Sequence, residues 1–307
     1  MSSLSTPSPP AESLRWRDVL TLTKPGITAL IVLVAVGGFF LAAPNPIPYG
    51  RLAELVGFGA LASAGSAMLN HYLDRDLDAR MRRTRGRPLP SERIGASGGV
   101  ALGGLLLLGV GIAGASVLLN PLTGFSIFLG GLTYVVVYTI WLKRRSSWNI
   151  VIGGFAGSAP ALAGSAAALG YWTPGVLALA LLVFLWTPPH FWSLALLLRA
   201  DYEAVGLPML PRMDDPKFSG RVVVLSAAVL LPATFLLWWV GPIAWPVAVA
   251  LVGLGVGFFV VSLPLWSDPG RRRARWGFIY SGPYLLGVLL ALVANWWLVS
   301  AGVRPGF

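Results

Sequence analysis

Nine stretches of this 307-residue chain are apolar for about the length a helix needs to cross the hydrocarbon of a bilayer, roughly 20 residues. They lie near 26–43, 52–71, 98–119, 122–142, 149–169, 175–197, 222–240, 243–263 and 277–299. Within lipid every backbone N–H and C=O must be satisfied internally, which helices do segment by segment. The expected fold class is therefore all-α, a polytopic membrane bundle of nine transmembrane helices. Asn120-Pro121 and Gly241-Pro242 divide what would otherwise be helices too long for one crossing, so tight hairpins are expected there. Charged residues make up 11% of the chain against roughly 25% in soluble domains, which excludes a soluble globule.

The net charge of +11 would suit a nucleic-acid partner only if it formed a surface patch. Instead, 21 of the 23 Lys and Arg fall in alternate loops: Arg15, Arg17 and Lys24, then Arg75 to Arg93, Lys143 to Arg145, Arg199 to Arg221 and Arg271 to Arg275. Only Arg51 and Arg304 fall in the others. Positive loops stay in the cytoplasm. A cell-membrane protein with a cytoplasmic N-terminus and an external C-terminus is expected, and membrane topology accounts for the basicity without nucleic acid. There is no cysteine, which excludes disulfides and thiolate chemistry. Residues 1–14, rich in Ser and Pro, are expected to be a disordered tail, and 15–307 a single transmembrane domain.

Between Asn70 and Pro90 the sequence NHYLDRDLDARMRRTRGRPLP holds three of the chain's twelve acidic and six of its 23 basic residues. At the end of a helix, Asn70, Asp74 and Asp78 share one face, because each step of four drifts only about 40° around the axis. Asp76 points away, where Arg80 can pair with it. Two like charges at i,i+4 repel unless a cation sits between them. Carboxylates with an amide oxygen are hard ligands that suit Mg²⁺, an ion usually held by one or two carboxylates together with substrate phosphates. Arg82, Arg83, Arg85 and Arg87 then supply fork-shaped donors for the anion. The segment reads as a site for a Mg²⁺-bound diphosphate. A solvated topology loop would explain the arginines but not the spacing of the acids.

Three further groups belong to the same end of the bundle. Tyr138 precedes Lys143, Arg144 and Arg145, of which Lys143 lies nearest the helix and is the expected diphosphate ligand. The sixth run contains WTPPHFW, which places Trp186 and His190 inside the membrane; an ionisable side chain at that depth points to function, and imidazole is a common haem ligand. Hydrogen bonding to a carbonyl freed by Pro188 and Pro189 is the structural alternative. The loop DYEAVGLPMLP at 201–211 brings carboxylates from four helices further on, with Asp201 the expected metal ligand. His71 is expected to be structural.

Taken in order, NHYLDRDLD with RRTRGRPLP, LTKPGI at 22–27, the Tyr138–Arg144 segment, Trp186 with Pro189-His190, and DYEAVGLPMLP resemble the UbiA superfamily of intramembrane prenyltransferases. They resemble its haem-farnesylating branch in particular, and the likeness spans nearly the whole chain. The resemblance implies nine helices around a central cavity, Mg²⁺ as cofactor, farnesyl diphosphate as donor and haem B as acceptor, giving haem O. It carries catalytic roles onto Asn70, Asp74, Asp78 and Lys143, diphosphate binding onto Arg82, Arg83, Arg87 and Lys143, and haem binding onto His190 and Trp186. Asn70, Asp74, Asp78 and Asp201 are then the metal ligands. It also implies membrane lipid as surroundings, with haem A synthase or terminal-oxidase assembly proteins as partners. The second motif of the wider superfamily is commonly Asp-x3-Asp, and Val205 stands at its second position here. Two other readings stay open: a prenyltransferase of another acceptor, such as an aromatic or quinone precursor, and a transporter, against which stands the clustering of acids at one membrane face.

Overall fold

The computed structural model describes residues 16–95, 97–208, 215–303 and 305. The tail expected at 1–14, together with Arg15, Met209 to Asp214 and Arg304, lies outside the described residues. Among the described residues, nine helices are long and apolar enough to cross a membrane: α1 (Pro25–Ala42), α2 (Tyr49–Leu73), α3 (Ser97–Leu119), α4 (Pro121–Leu142), α5 (Asn149–Leu169), α6 (Pro174–Leu197), α7 (Pro216–Val240), α8 (Trp245–Trp266) and α9 (Arg271–Ser300). They match the nine apolar runs one for one. The largest differences are the starts of α7 and α9, about two turns earlier than hydropathy alone places them. Lys217, Arg221 and Arg271 to Arg275 are helical but polar, so the apolar run marks lipid contact and the helix continues past it. The Asp215 side chain fixes the α7 start by accepting from the Phe218 N–H at 3.0 Å.

Both expected hairpins are present. Asn120 caps α4 by accepting from the Thr123 N–H at 2.9 Å, with Pro121 next, and its amide donates to the Ala166 carbonyl at 2.8 Å. The turn before α8 is tied to α9 by Asn295, which accepts from the Ala244 N–H and donates to the Pro242 carbonyl, both at 2.8 Å.

Helices in lipid gain little from hydrophobic burial against one another and associate through close packing of small residues. α1 meets α5 in this way: a Cβ on Gly38 would run into the Ala161 backbone, and one on Gly164 into that of Ala35. α6 is the most enclosed of the late helices, with Leu179, Leu182 and Val183 buried against Leu230 of α7 and Leu285 of α9. It runs unbroken through Pro188 and Pro189.

At the charged end, three short helices, Trp16–Leu22, Arg75–Arg80 and Arg199–Ala204, lie outside the spans. Beneath the loops sits an apolar cluster in which Leu77 and Met81, after α2, pack with Ile150, Leu196, Tyr202 and Leu207. Burying such side chains stabilises by roughly 1.5–3 kcal/mol each. The two acidic loops are thus joined through their apolar residues and face one cavity.

Candidate active site

A cavity of about 510 Å³ opens beneath the charged loops. Its deep wall is apolar, with Ile27, Ile31, Val32 and Ala35 from α1, Leu55 from α2 and Ala163 from α5. Its rim carries Lys24, Asn70, Asp74, Asp78, Arg83, Arg87, Tyr134, Tyr138, Lys143 and Tyr202. A polar, charged mouth over a greasy shaft suits a ligand with an anionic head and a hydrocarbon tail.

The motif at 70–78 departs from a single helix face. α2 ends at Leu73, Asp74 is its C-cap with φ −95° and ψ 3°, and Arg75–Arg80 forms a separate short helix. The three side chains still converge, at 4%, 1% and 4% exposure for Asn70, Asp74 and Asp78. Asn70 Nδ2 donates to Asp74 Oδ2 at 2.8 Å, and Lys143 Nζ donates to the same oxygen at 2.5 Å. Arg87 Nη1 donates to Asp78 Oδ2 at 2.6 Å, and the Thr84 hydroxyl donates to the Asp78 carbonyl at 2.9 Å. The segment after Arg80 is therefore no solvated loop: Met81, Leu89 and Ile94 are buried and fold it back over the site.

The expected Asp76–Arg80 pair does not form. Asp76 is taken by Arg144, whose guanidinium donates to both of its carboxylate oxygens at 2.6 and 2.7 Å and to the Leu73 carbonyl at 3.0 Å. Arg80 reaches only the Asp76 main-chain oxygen, at 3.4 Å. Asp76 and Arg80 share the short helix, but the bidentate guanidinium of Arg144 from the end of α4 takes both carboxylate oxygens. The Arg144 hydrogen bonds hold the Asp76 carboxyl below the usual carboxylate range, and Asp76 in turn raises Arg144.

Sequence reasoning missed Lys24 and Tyr134 as rim residues. Lys24 occupies left-handed backbone space, φ 46° and ψ 63°, directly before Pro25, a conformation that costs a non-glycine residue on the order of 1 kcal/mol. The reward is position: Lys24 Nζ donates to Asn70 Oδ1 at 2.5 Å and to the Tyr134 hydroxyl at 3.1 Å. Burial, then repulsion from Arg87, lowers its ammonium to about 8, while Asp74 and Asp78 pull the other way. The only signal in the sequence is Lys-Pro ahead of the first apolar run.

Tyr134 and Tyr138 stand on a π-helical stretch of α4, Thr133–Leu142, a geometry frequent at functional sites. Their rings stack at 6.1 Å, with Lys24 over one at 5.8 Å and Lys143 over the other at 5.9 Å.

The remaining expected residues divide. Arg83 and Arg87 line the cavity; Arg82 and Arg85 are exposed and do not. Trp186 lines the shaft and donates through Nε1 to the Ser281 carbonyl of α9 at 3.0 Å. His190 lies behind it, stacked on Trp186 at 4.4 Å, with Nδ1 2.5 Å from the Ser281 hydroxyl and Phe278 at 5.0 Å. Asp201 is half-buried off the cavity, next to Tyr202, which lines it. Glu203 pairs with Arg199 at 2.5 Å. His71 is fully enclosed with both ring nitrogens unpartnered.

The donor set fits Mg²⁺. Asp74 Oδ1 is buried with no hydrogen-bond partner, so one carboxylate oxygen stands ready for an ion. Among the described residues no three His, Cys, Asp or Glu side chains form a cage.

Known proteins agree with this architecture. A profile of the UbiA prenyltransferase family matches residues 30–282. The chain is 41% identical over 283 residues to the protoheme IX farnesyltransferase of Alkalilimnicola ehrlichii, covering 92% of this chain and 93% of that one. It is 38% identical to that of Sulfurisphaera tokodaii, covering 90% and 92%. Among solved structures, a UbiA homologue from Archaeoglobus fulgidus bound to DMAPP and Mg²⁺ superposes with a TM-score of 0.70 at 15% identity, covering 90% of this chain and 99% of that one. The chain belongs to the UbiA prenyltransferase family, among its protoheme IX farnesyltransferases.

Proposed function

We propose that this protein transfers the farnesyl group of farnesyl diphosphate to a vinyl group of haem B, with addition of water, releasing diphosphate and forming haem O. The observation that carries the reading is the cavity itself, a rim of two carboxylates, an amide and four cations over an apolar shaft. The relatives' shared name supplies the acceptor, and the A. fulgidus homologue's bound DMAPP and Mg²⁺ supply the precedent for the donor and metal.

Asn70, Asp74 and Asp78 would hold Mg²⁺, and Asp201 would be a further ligand once its loop turned it in toward the cavity that Tyr202 already lines. When bound, Mg²⁺ neutralises charge on the departing diphosphate. Lys24, Lys143, Arg83 and Arg87 bind its remaining oxygens, Arg82 adds long-range attraction, and all stabilise the negative charge that collects on the leaving oxygen as the C1–O bond breaks with both electrons going to it. Tyr134 and Tyr138 face the allylic carbon that becomes positive. The terminal vinyl carbon attacks that carbon. The positive charge passes to the inner vinyl carbon beside the macrocycle, and water adds there and loses a proton. Trp186 offers a flat surface to the porphyrin, and His190, stacked behind it and hydrogen-bonded to Ser281, serves haem binding by holding that indole in place. The charged end lies in the cytoplasm and the haem enters from the bilayer. The prenylated product leaves by the same apolar route, which suits membrane-bound recipients such as haem A synthase or oxidase assembly proteins.

Purified protein with radiolabelled farnesyl diphosphate, Mg²⁺ and a panel of haem B, 4-hydroxybenzoate and a quinone precursor tests this. Label is expected in haem alone, and none after EDTA treatment. Transfer to an aromatic acid in preference to haem would replace the acceptor; no transfer to any acceptor would remove the enzymatic reading.

A further inference from the structure

Asn70 can serve a metal only if its amide presents oxygen, and not nitrogen, to the cavity. An amide has two donors at one end and two lone pairs at the other, so its neighbours decide its orientation. On the nitrogen side, Asn70 Nδ2 meets Asp74 Oδ2 at 2.8 Å and the hydroxyl of Thr139 at 3.0 Å. Thr139 has a single hydroxyl proton, and it is spent: Oγ1 donates to the Tyr134 carbonyl at 2.8 Å, five residues back along the π-helical stretch. Toward Asn70 the hydroxyl can therefore only accept. A flipped amide would set its oxygen against that acceptor and a carboxylate, and its NH₂ against the Lys24 ammonium.

We infer that Thr139 is a positioning residue for the metal site, locking the Asn70 side chain with Oδ1 toward the cavity. It is 2% exposed and does not line the cavity, so it touches neither donor nor acceptor. The π turn supplies the lock, because it brings residue 139 back onto the carbonyl of residue 134 and commits the hydroxyl proton. The inference rests on Asn70 as a metal ligand, and partners of this kind typically change metal affinity by about 10–100-fold when removed.

The test is Mn²⁺ affinity, read by electron paramagnetic resonance of the unbound ion, in detergent-solubilised protein with the unreactive donor farnesyl thiolodiphosphate and no haem. Thr139→Val, which keeps the shape and removes the acceptor, is expected to weaken Mn²⁺ binding about tenfold, and Thr139→Ser to restore it to within about threefold of the parent protein. In an Asn70→Asp background, which has no amide to orient, Thr139→Val should weaken binding no further. Thr139→Ala gives the same reading should the valine variant fold poorly. Unchanged affinity in Thr139→Val, failure of serine to rescue, or an equal loss in the Asn70→Asp background would each overturn the inference. Asn70→Ala separates the two ideas: if it binds Mn²⁺ as the parent does, the ligand role of Asn70 fails; if it loses binding while Thr139→Val does not, only the positioning role fails.

Discussion

Asp74 and Asp78 sit in one motif but carry different loads. Asp74 Oδ2 already accepts from Asn70 and Lys143 while Oδ1 is buried without a partner, whereas Asp78 anchors Arg87 and, through its carbonyl, Thr84. Alanine at either position is expected to lower kcat/KM by at least about a hundredfold, the scale for losing a charge-stabilising group, with membrane insertion retained. Asp76→Ala should change it less than about threefold, because that carboxylate is half exposed and pairs at the surface. Its carboxyl is held low by Arg144, so it stays ionised throughout the neutral range, and the small effect should be the same across that range. Equal losses at all three positions, measured on matched amounts of folded protein, would contradict this division. Lys24→Met should raise the KM for farnesyl diphosphate by about tenfold or more, since a hydrogen bond to a charged group contributes about 1.5–3 kcal/mol; an unchanged KM would remove Lys24 from the donor site. The acids were legible because their spacing is local. Lys24 and Tyr134 were not, because their partnership joins residues 110 positions apart, which no periodicity records.

At the level of elements, hydropathy recovered all nine helices and both hairpins, since the bilayer sets helix length and Pro and Gly mark the turns. It could not recover the break at Asp74 or the π-helical end of α4. Both depend on partners elsewhere, Lys143 and Arg144 for the first motif and Asn70 for Thr139. Helix packing makes its own prediction. Gly164 abuts the Ala35 carbonyl across the α1–α5 contact, whereas Gly57 on α2 has open space where a Cβ would go. Gly164→Ala should therefore lower the unfolding temperature in detergent by several degrees, an overpacking cost of about 1–3 kcal/mol. Gly57→Ala should leave it unchanged or raised, because alanine is the better helix former. The opposite ranking would mean that α1 and α5 do not pack this closely in the membrane.

Across the whole molecule, the charged loops gather at one end. Arg93 reaches Asp18 at 3.0 Å, Arg144 reaches Asp76, and Asn149 Nδ2 reaches the Pro208 carbonyl at 3.0 Å, tying together the loops after α2, α4 and α6. Among the described residues, Arg51 is the one cation at the far end, with Glu54 a turn further along the same helix. With no native cysteine, a single Ser91→Cys should react with a membrane-impermeant thiol reagent only in inverted vesicles, and Gly50→Cys only from outside intact cells; the reverse pattern would place the diphosphate end outside. Haem was legible as acceptor only through resemblance, because residue chemistry specifies an anionic head and an apolar tail but not the ring that receives it. The most direct test of the whole account is a reaction of the purified protein with farnesyl diphosphate, haem B and Mg²⁺ in ¹⁸O-water, read by mass spectrometry. The account predicts a haem carrying one farnesyl group and one ¹⁸O hydroxyl, absent in Asp74→Ala. A farnesylated haem without the label, or no farnesylated haem at all, would contradict it.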